Sequence, residues 1–167
     1  MISDSLKQNK HRWIYGGLVV LMMILVFCFS AMSGRDSAAM SGRITEAVLR
    51  IVYPEYRTLP QQERYGAYRL MSFLVRKGAH FTEYAFLGAL VMLFLNTYSF
   101  RCRPLIAFLF SALYAASDEW HQSFVAGRGP MIRDVAIDAF GAIAGILLIL
   151  LLLRACRKHK QTASETS

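Results

Sequence analysis

Apolar positions in this chain come in long uncharged runs, not in the short alternating stripes of a soluble domain. Trp13 to Gly34 holds 22 residues without a charged side chain, and Ala139 to Leu153 holds another 15. A helix needs about 20 mostly apolar residues to cross a bilayer core, so runs of this length exclude an ordinary soluble globule. The pattern predicts four spans, at residues 13–32, 79–98, 104–120 and 135–153. Trp13 and Tyr15 give the first an aromatic interface anchor. The third is the weakest: its uncharged core, Pro104 to Ser117, has only 14 residues and by itself also fits a re-entrant segment. Polar tails at 1–12 and 154–167 flank the spans, and Gln161 to Ser167 reads as unstructured.

Residues 33–78 are too polar to cross and too periodic to be a plain linker. Ser41 is a candidate helix cap, and Ile44, Val48, Ile51 and Val52 follow on one helical face until Pro54 ends it. Thr58 and Pro60 start a second helix that carries Tyr65, Tyr68, Met71 and Val75 toward the second span. Both helices are studded with Arg, as expected of helices lying among lipid headgroups. The expected fold is all-α: an integral membrane four-helix bundle with an interfacial helical loop after the first span and a second loop at 121–134.

Composition agrees. The chain is 55% apolar and 18% charged, against roughly 25% charged in soluble domains, and 167 residues leave room for about four spans. A net charge of +8 would suit nucleic acid, but the basic residues sit in tails and loops between apolar runs. There they meet anionic lipid headgroups, and no nucleic-acid partner is expected. Nine Lys and Arg crowd the short tails and the 101–103 turn, which predicts cytoplasmic termini. The first run is too long for a signal peptide, and Phe27 before Cys28 spoils a lipoprotein signal, so it reads as a retained anchor. Three cysteines without a CxxC pair carry no special chemistry.

The costly residues are unevenly placed. His80 and Glu83 open the second span, Asp118, Glu119, His121 and Gln122 close the third, and Asp134 and Asp138 open the fourth. Alternating span direction brings these three ends to one membrane face, and cytoplasmic termini turn that face outward. Five of the eleven acidic residues and two of the four His lie there. Helical spacing puts His80, Glu83 and Tyr84 on one face, and Asp118, His121 and Gln122 on another, extended backwards by Tyr114. Asp134, Asp138, Gly141 and Gly145 form a third stripe, where the Gly pair permits close helix approach. Arg76, Lys77, Arg128 and Arg133 stand at the rim, able to pair with the acids or bind an anion.

Several chemistries fit this cluster. It can be a packing network of interhelical hydrogen bonds and ion pairs. His80, Glu83, Asp118, His121 and Asp138 are also N/O donors suited to zinc or manganese, although no established ligand spacing such as HExxH occurs. Metal-free acid–base work by a carboxylate-activated His, with Arg128 on an anionic headgroup, is a third reading, and ion or proton passage a fourth. Gly127-Arg128-Gly129-Pro130 reads as a flexible turn, not a phosphate cradle.

Three segments resemble the VanZ-like membrane protein family. Arg76-Lys77-Gly78-Ala79-His80-Phe81-Thr82-Glu83-Tyr84 is similar to its RKxAHFxEY segment, and Ser117 to Phe124 (SDEWHQSF) to its SDExHQxF segment. Gly127-Arg128 with Asp134, Asp138, Gly141 and Gly145 is similar to GR…DxxxDxxGxxxG. The order is right, the match covers 76–153, and Phe29-Ser30 extends the similarity to about residue 30. Ala126 departs from the Pro expected before Gly-Arg, which bears on loop stiffness more than on chemistry.

The resemblance implies a small bacterial multi-pass protein of the cell envelope, in a family whose founding member is linked to low-level teicoplanin resistance. It supplies no proven catalytic residues, cofactor or metal. The expected ligand is a lipid headgroup, a lipid-linked cell-wall precursor or the tail of a lipoglycopeptide. If the protein is an enzyme, its catalytic set is His80, Glu83, Asp118, His121 and Asp138, with His80 or His121 as base and Glu83 and Asp118 as orienting groups or metal ligands. Lys77, Tyr84, Glu119, Gln122, Arg128 and Asp134 are the expected ligand-binding residues, Arg128 being the anion clamp. A binding protein would use the same residues without turnover.

Overall fold

A computed structural model describes residues 2–99, 101–129 and 131–165. These residues form five α-helices and no strand: α1 (Ile2–Ser30), α2 (Gly34–Val52), α3 (Gln61–Asn96), α4 (Arg103–Gln122) and α5 (Ile132–Glu165), with a 3-10 helix at Pro54–Thr58. The all-helical expectation holds. Three helical stretches are long and apolar enough to cross a membrane: Asn9–Ser30, Gln61–Asn96 and Ile132–His159. The fourth expected span, α4, is not among them, because Arg103 and the polar end from Ser117 to Gln122 lower its hydropathy.

Several boundaries differ from the sequence reading. Nothing between Gln61 and Asn96 breaks the helix, since Gly78 is tolerated and no proline intervenes; the second loop helix and the second span are one continuous α3. The capping residue of α2 is Ser33, whose Oγ accepts the Asp36 N–H at 3.2 Å, while Ser41 is buried within the helix. Leu49 and Thr45 share that buried face, and the Ile44, Ile51 and Val52 stripe points outward, with Ile51 80% exposed. α5 runs on past the expected span end at Leu153 to Glu165, so residues 161–165 are helical where an unstructured stretch was expected, and the last two residues of that stretch lie outside the described residues.

Packing is inverted relative to a soluble protein. Leu18, Leu21 and Ile24 of α1, Leu105, Leu109 and Leu113 of α4, and Leu147, Leu148 and Leu151 of α5 are all exposed. Surfaces of this kind belong in hydrocarbon. The interior is built from Val26, Tyr84, Leu87, Val91, Met92 and Ile146, with Ala107, Ser111 and Ala115 as the small inner face of α4. α3 and α5 touch backbone to backbone: a Cβ at Gly88, Gly141 or Gly145 would collide with the backbone of Ala142, Phe81 or Ala85 respectively. The close approach expected of the Gly141–Gly145 pair is present, and Gly88 supplies its counterpart on α3.

Candidate functional site

At one end of the bundle four helices and one turn bring polar side chains together. Asp118, only 4% exposed on the last turns of α4, is the centre. Its Oδ2 accepts from Ser30 Oγ at 2.6 Å and from Gln122 Nε2 at 2.9 Å. Arg128 Nη1 donates to Gln122 Oε1 and Nη2 to the Phe29 carbonyl, both at 3.0 Å. The set therefore ties the exit of α1 to the end of α4 through the turn that follows it. Burial moves the Arg128 guanidinium below its ordinary pKa; Arg76 pushes the same way, while Asp118, Glu119 and Glu83 oppose it.

That turn is well fixed. Gly127 adopts a positive φ of 74°, Arg128 N–H donates to Val125 O at 3.1 Å, and Gly34 N–H donates to Ala126 O at 2.9 Å. The loop thus docks on the first turn of α2, where a Cβ at Gly34 would strike the Gly127 backbone. It is a pinned turn, not the flexible one expected, although Pro130 of that motif lies outside the described residues. Glu119 Oε2 accepts the Met131 N–H at 3.0 Å, and Lys77 pairs with Asp134, so α4 and α3 each hold the entry to α5.

Two cavities open beside this network. The larger, about 300 Å³, has Phe29, Met40, Ile44 and Val75 on its apolar wall and Arg76, His80, Glu83 and Arg128 on its polar wall. The smaller, about 130 Å³, is lined by Arg76, Lys77, His80, Gln122, Arg128 and Asp134. Arg76, His80 and Arg128 line both cavities. His80 Nδ1 lies 3.8 Å from Glu83 Oε2, beyond hydrogen-bond reach, and has no partner among the described residues.

The other predicted residues stand apart from these cavities. His121 turns its ring toward Phe27 of α1, centroids 4.6 Å apart. Tyr84 is fully buried in the core, its hydroxyl without a partner among the described residues. Asp138 is 1% exposed against α3, and neither carboxylate oxygen finds a described donor. Glu119 is committed to the start of α5. No three His, Cys, Asp or Glu side chains among the described residues are grouped so as to hold a metal ion, and the five-donor set read from the sequence is not assembled.

The sequence model of the VanZ/LLP1 family matches residues 15–153. The chain belongs to this family. No curated protein and no solved structure matches it. The stretch shared with VanZ/LLP1 takes in the whole cluster, from Ser30 to Asp138, together with both cavities. Family membership and the three apolar helices agree in describing a VanZ-like membrane protein. Two features of this VanZ/LLP1 site escaped the sequence reading. One is the role of Ser30, which the sequence marked only by its place at the end of the first apolar run and by the Phe29-Ser30 similarity. The other is the α2 wall of the larger cavity, Met40 and Ile44; periodicity put Ile44 on the apolar face of a helix lying among headgroups and did not single out Met40.

Proposed function

We propose that this VanZ/LLP1 protein crosses the cell membrane four times, with cytoplasmic termini, and holds a lipid-linked anionic ligand in an outward-facing pocket of the cell envelope. The observation that carries this reading is the meeting of two unlike cavities at His80, Arg76 and Arg128. An amphiphile matches that division: its chain lies against Phe29, Met40, Ile44 and Val75, and its charged headgroup reaches the cationic walls. A lipid-linked cell-wall precursor and the acylated tail of a glycopeptide such as teicoplanin are both ligands of this form. A fourth crossing by α4 is supported by its length of about 30 Å at ~1.5 Å per residue and by its exposed Leu105, Leu109 and Leu113. Its two ends also meet opposite ends of the apolar part of α3, Arg103 bonding Asn96 at one and Asp118 lying in the His80 cluster at the other.

The best test spares the folding network. Arg76 is exposed and makes no hydrogen bond among the described residues, so Arg76→Gln removes charge from both cavities without removing a strut. Binding of a fluorescent lipid-linked cell-wall precursor to the purified full-length protein is expected to weaken about tenfold, the worth of one charge-assisted contact. Unchanged binding in a normally folded variant overturns the reading. The nearness of Glu83 to His80, 3.8 Å away, favours a second reading, in which His80 acts as a base on the bound ligand. Turnover by the parent protein, lost in His80→Gln while binding persists, separates an enzyme from a binding protein.

A further inference from the structure

The opposite end of the bundle holds a groove that the polar cluster does not use. It has a volume of about 620 Å³ and lies where α1 meets α3 and α4, with Gly16, Gly17, Met23, Phe94 and Phe110 on its walls and Arg12 at its mouth. Glycine weakens a helix interior by about 0.5–1 kcal/mol relative to alanine, yet two occur in succession here. A Cβ at Gly16 would come within 3.3 Å of the Phe94 ring, but one at Gly17 would meet no atom within 4 Å, so the space beside Gly17 is not taken up by the protein's own packing. An unfilled space of this size would forfeit dispersion contacts along its entire apolar lining.

The mouth is chemically specific. The Arg12 guanidinium stacks over the Tyr98 ring at 4.1 Å from its centroid, and Nη2 donates to the Thr97 carbonyl at 3.3 Å. These contacts hold a cation at the edge of the groove, while the buried Arg12 Nε has no acceptor among the described residues. Among the described residues no carboxylate lines the groove. Lys10, two positions before Arg12 on α1, and Arg101, in the turn between α3 and α4, are both exposed and add positive charge.

We propose that this groove is a binding site for an anionic phospholipid of the leaflet on the side of the chain termini, with one acyl chain along Gly16 and Gly17 and its phosphate on Arg12. The site is independent of the ligand proposed for the polar cavities. It would make the bound lipid part of the α1 packing, filling a surface that protein side chains leave open.

Native mass spectrometry of the full-length protein, titrated with phosphatidylglycerol and separately with phosphatidylcholine, tests this directly. The parent protein is expected to retain phosphatidylglycerol about fivefold more tightly, the effect of one basic side chain at an anionic surface. Arg12→Gln is expected to reduce that preference to parity, and Gly17→Leu to remove both lipids by occupying the groove. Gly17→Ala weakens retention by a smaller factor and replaces the Leu variant should that one fail to fold. Equal retention of the two lipids by the parent protein overturns the proposal, as does retention unchanged in the Gly17 variants. A lipid-free dimer would assign the groove to a second copy of the chain and would also overturn it.

Discussion

At the seam between α3 and α5, Gly88, Gly141 and Gly145 bring two backbones into contact, whereas on α1 Gly16 meets only the Phe94 ring and Gly17 leaves an open groove beside α3 and α4. Glycine alone does not determine the outcome. At the first seam it faces the partner's carbonyl oxygens, and the small Ala85 and Ala142 complete the fit. At the second, the bulky rings of Phe94 and Phe110 keep the neighbouring backbones at a distance. One seam is closed by the protein itself and positions Asp134 and Asp138 beside α3. The other is left for the surroundings to fill.

The strongest way to break this contrast is at Gly145. Gly145→Leu drives a side chain into the Ala85 backbone and is expected to cost at least ~3 kcal/mol, read as loss of the monodisperse peak in detergent and a large fall in melting temperature. The polar end responds next. Asp118→Ala strands the buried Ser30 and Gln122 donors and is expected to cost about 2 kcal/mol, while Asp118→Asn keeps an acceptor and costs less than half as much. Thermal unfolding of the two variants side by side checks the ratio. The smallest effect belongs to the open seam: Gly17→Ala meets no neighbour and is expected to raise stability by about 0.5 kcal/mol through helix propensity alone. A loss of stability there would show that the groove is closed and the contrast false.

Much of this arrangement was legible in the sequence, for a simple physical reason. Charges are costly inside hydrocarbon, so the uncharged runs marked α1, α5 and the second half of α3, and the residues at their ends marked the polar cluster. Helical periodicity also predicted the Gly141–Gly145 contact. What it could not supply was the direction in which each face points. His121 and Asp118 differ by three positions on α4, yet one turns to the Phe27 ring and the other to Ser30 and Gln122. In α2 the helix was predicted, but the pattern singled out the face of Ile44, Val48, Ile51 and Val52, whereas the buried residues are Ser41, Thr45 and Leu49. Burial against α3 selected small and polar residues because the outward apolar face has hydrocarbon or headgroups to meet.

The unbroken α3 has a mechanical consequence. Its 36 residues make a rod about 54 Å long, against a hydrocarbon core of roughly 30 Å. A stiff mast of this length is more than the oily layer needs, and His80 and Glu83 sit near its middle. Its far end is braced by α2, where a Cβ at Gly42 would come within 2.8 Å of the Tyr68 hydroxyl, so one shaft ties the helical loop to the residues lining both cavities.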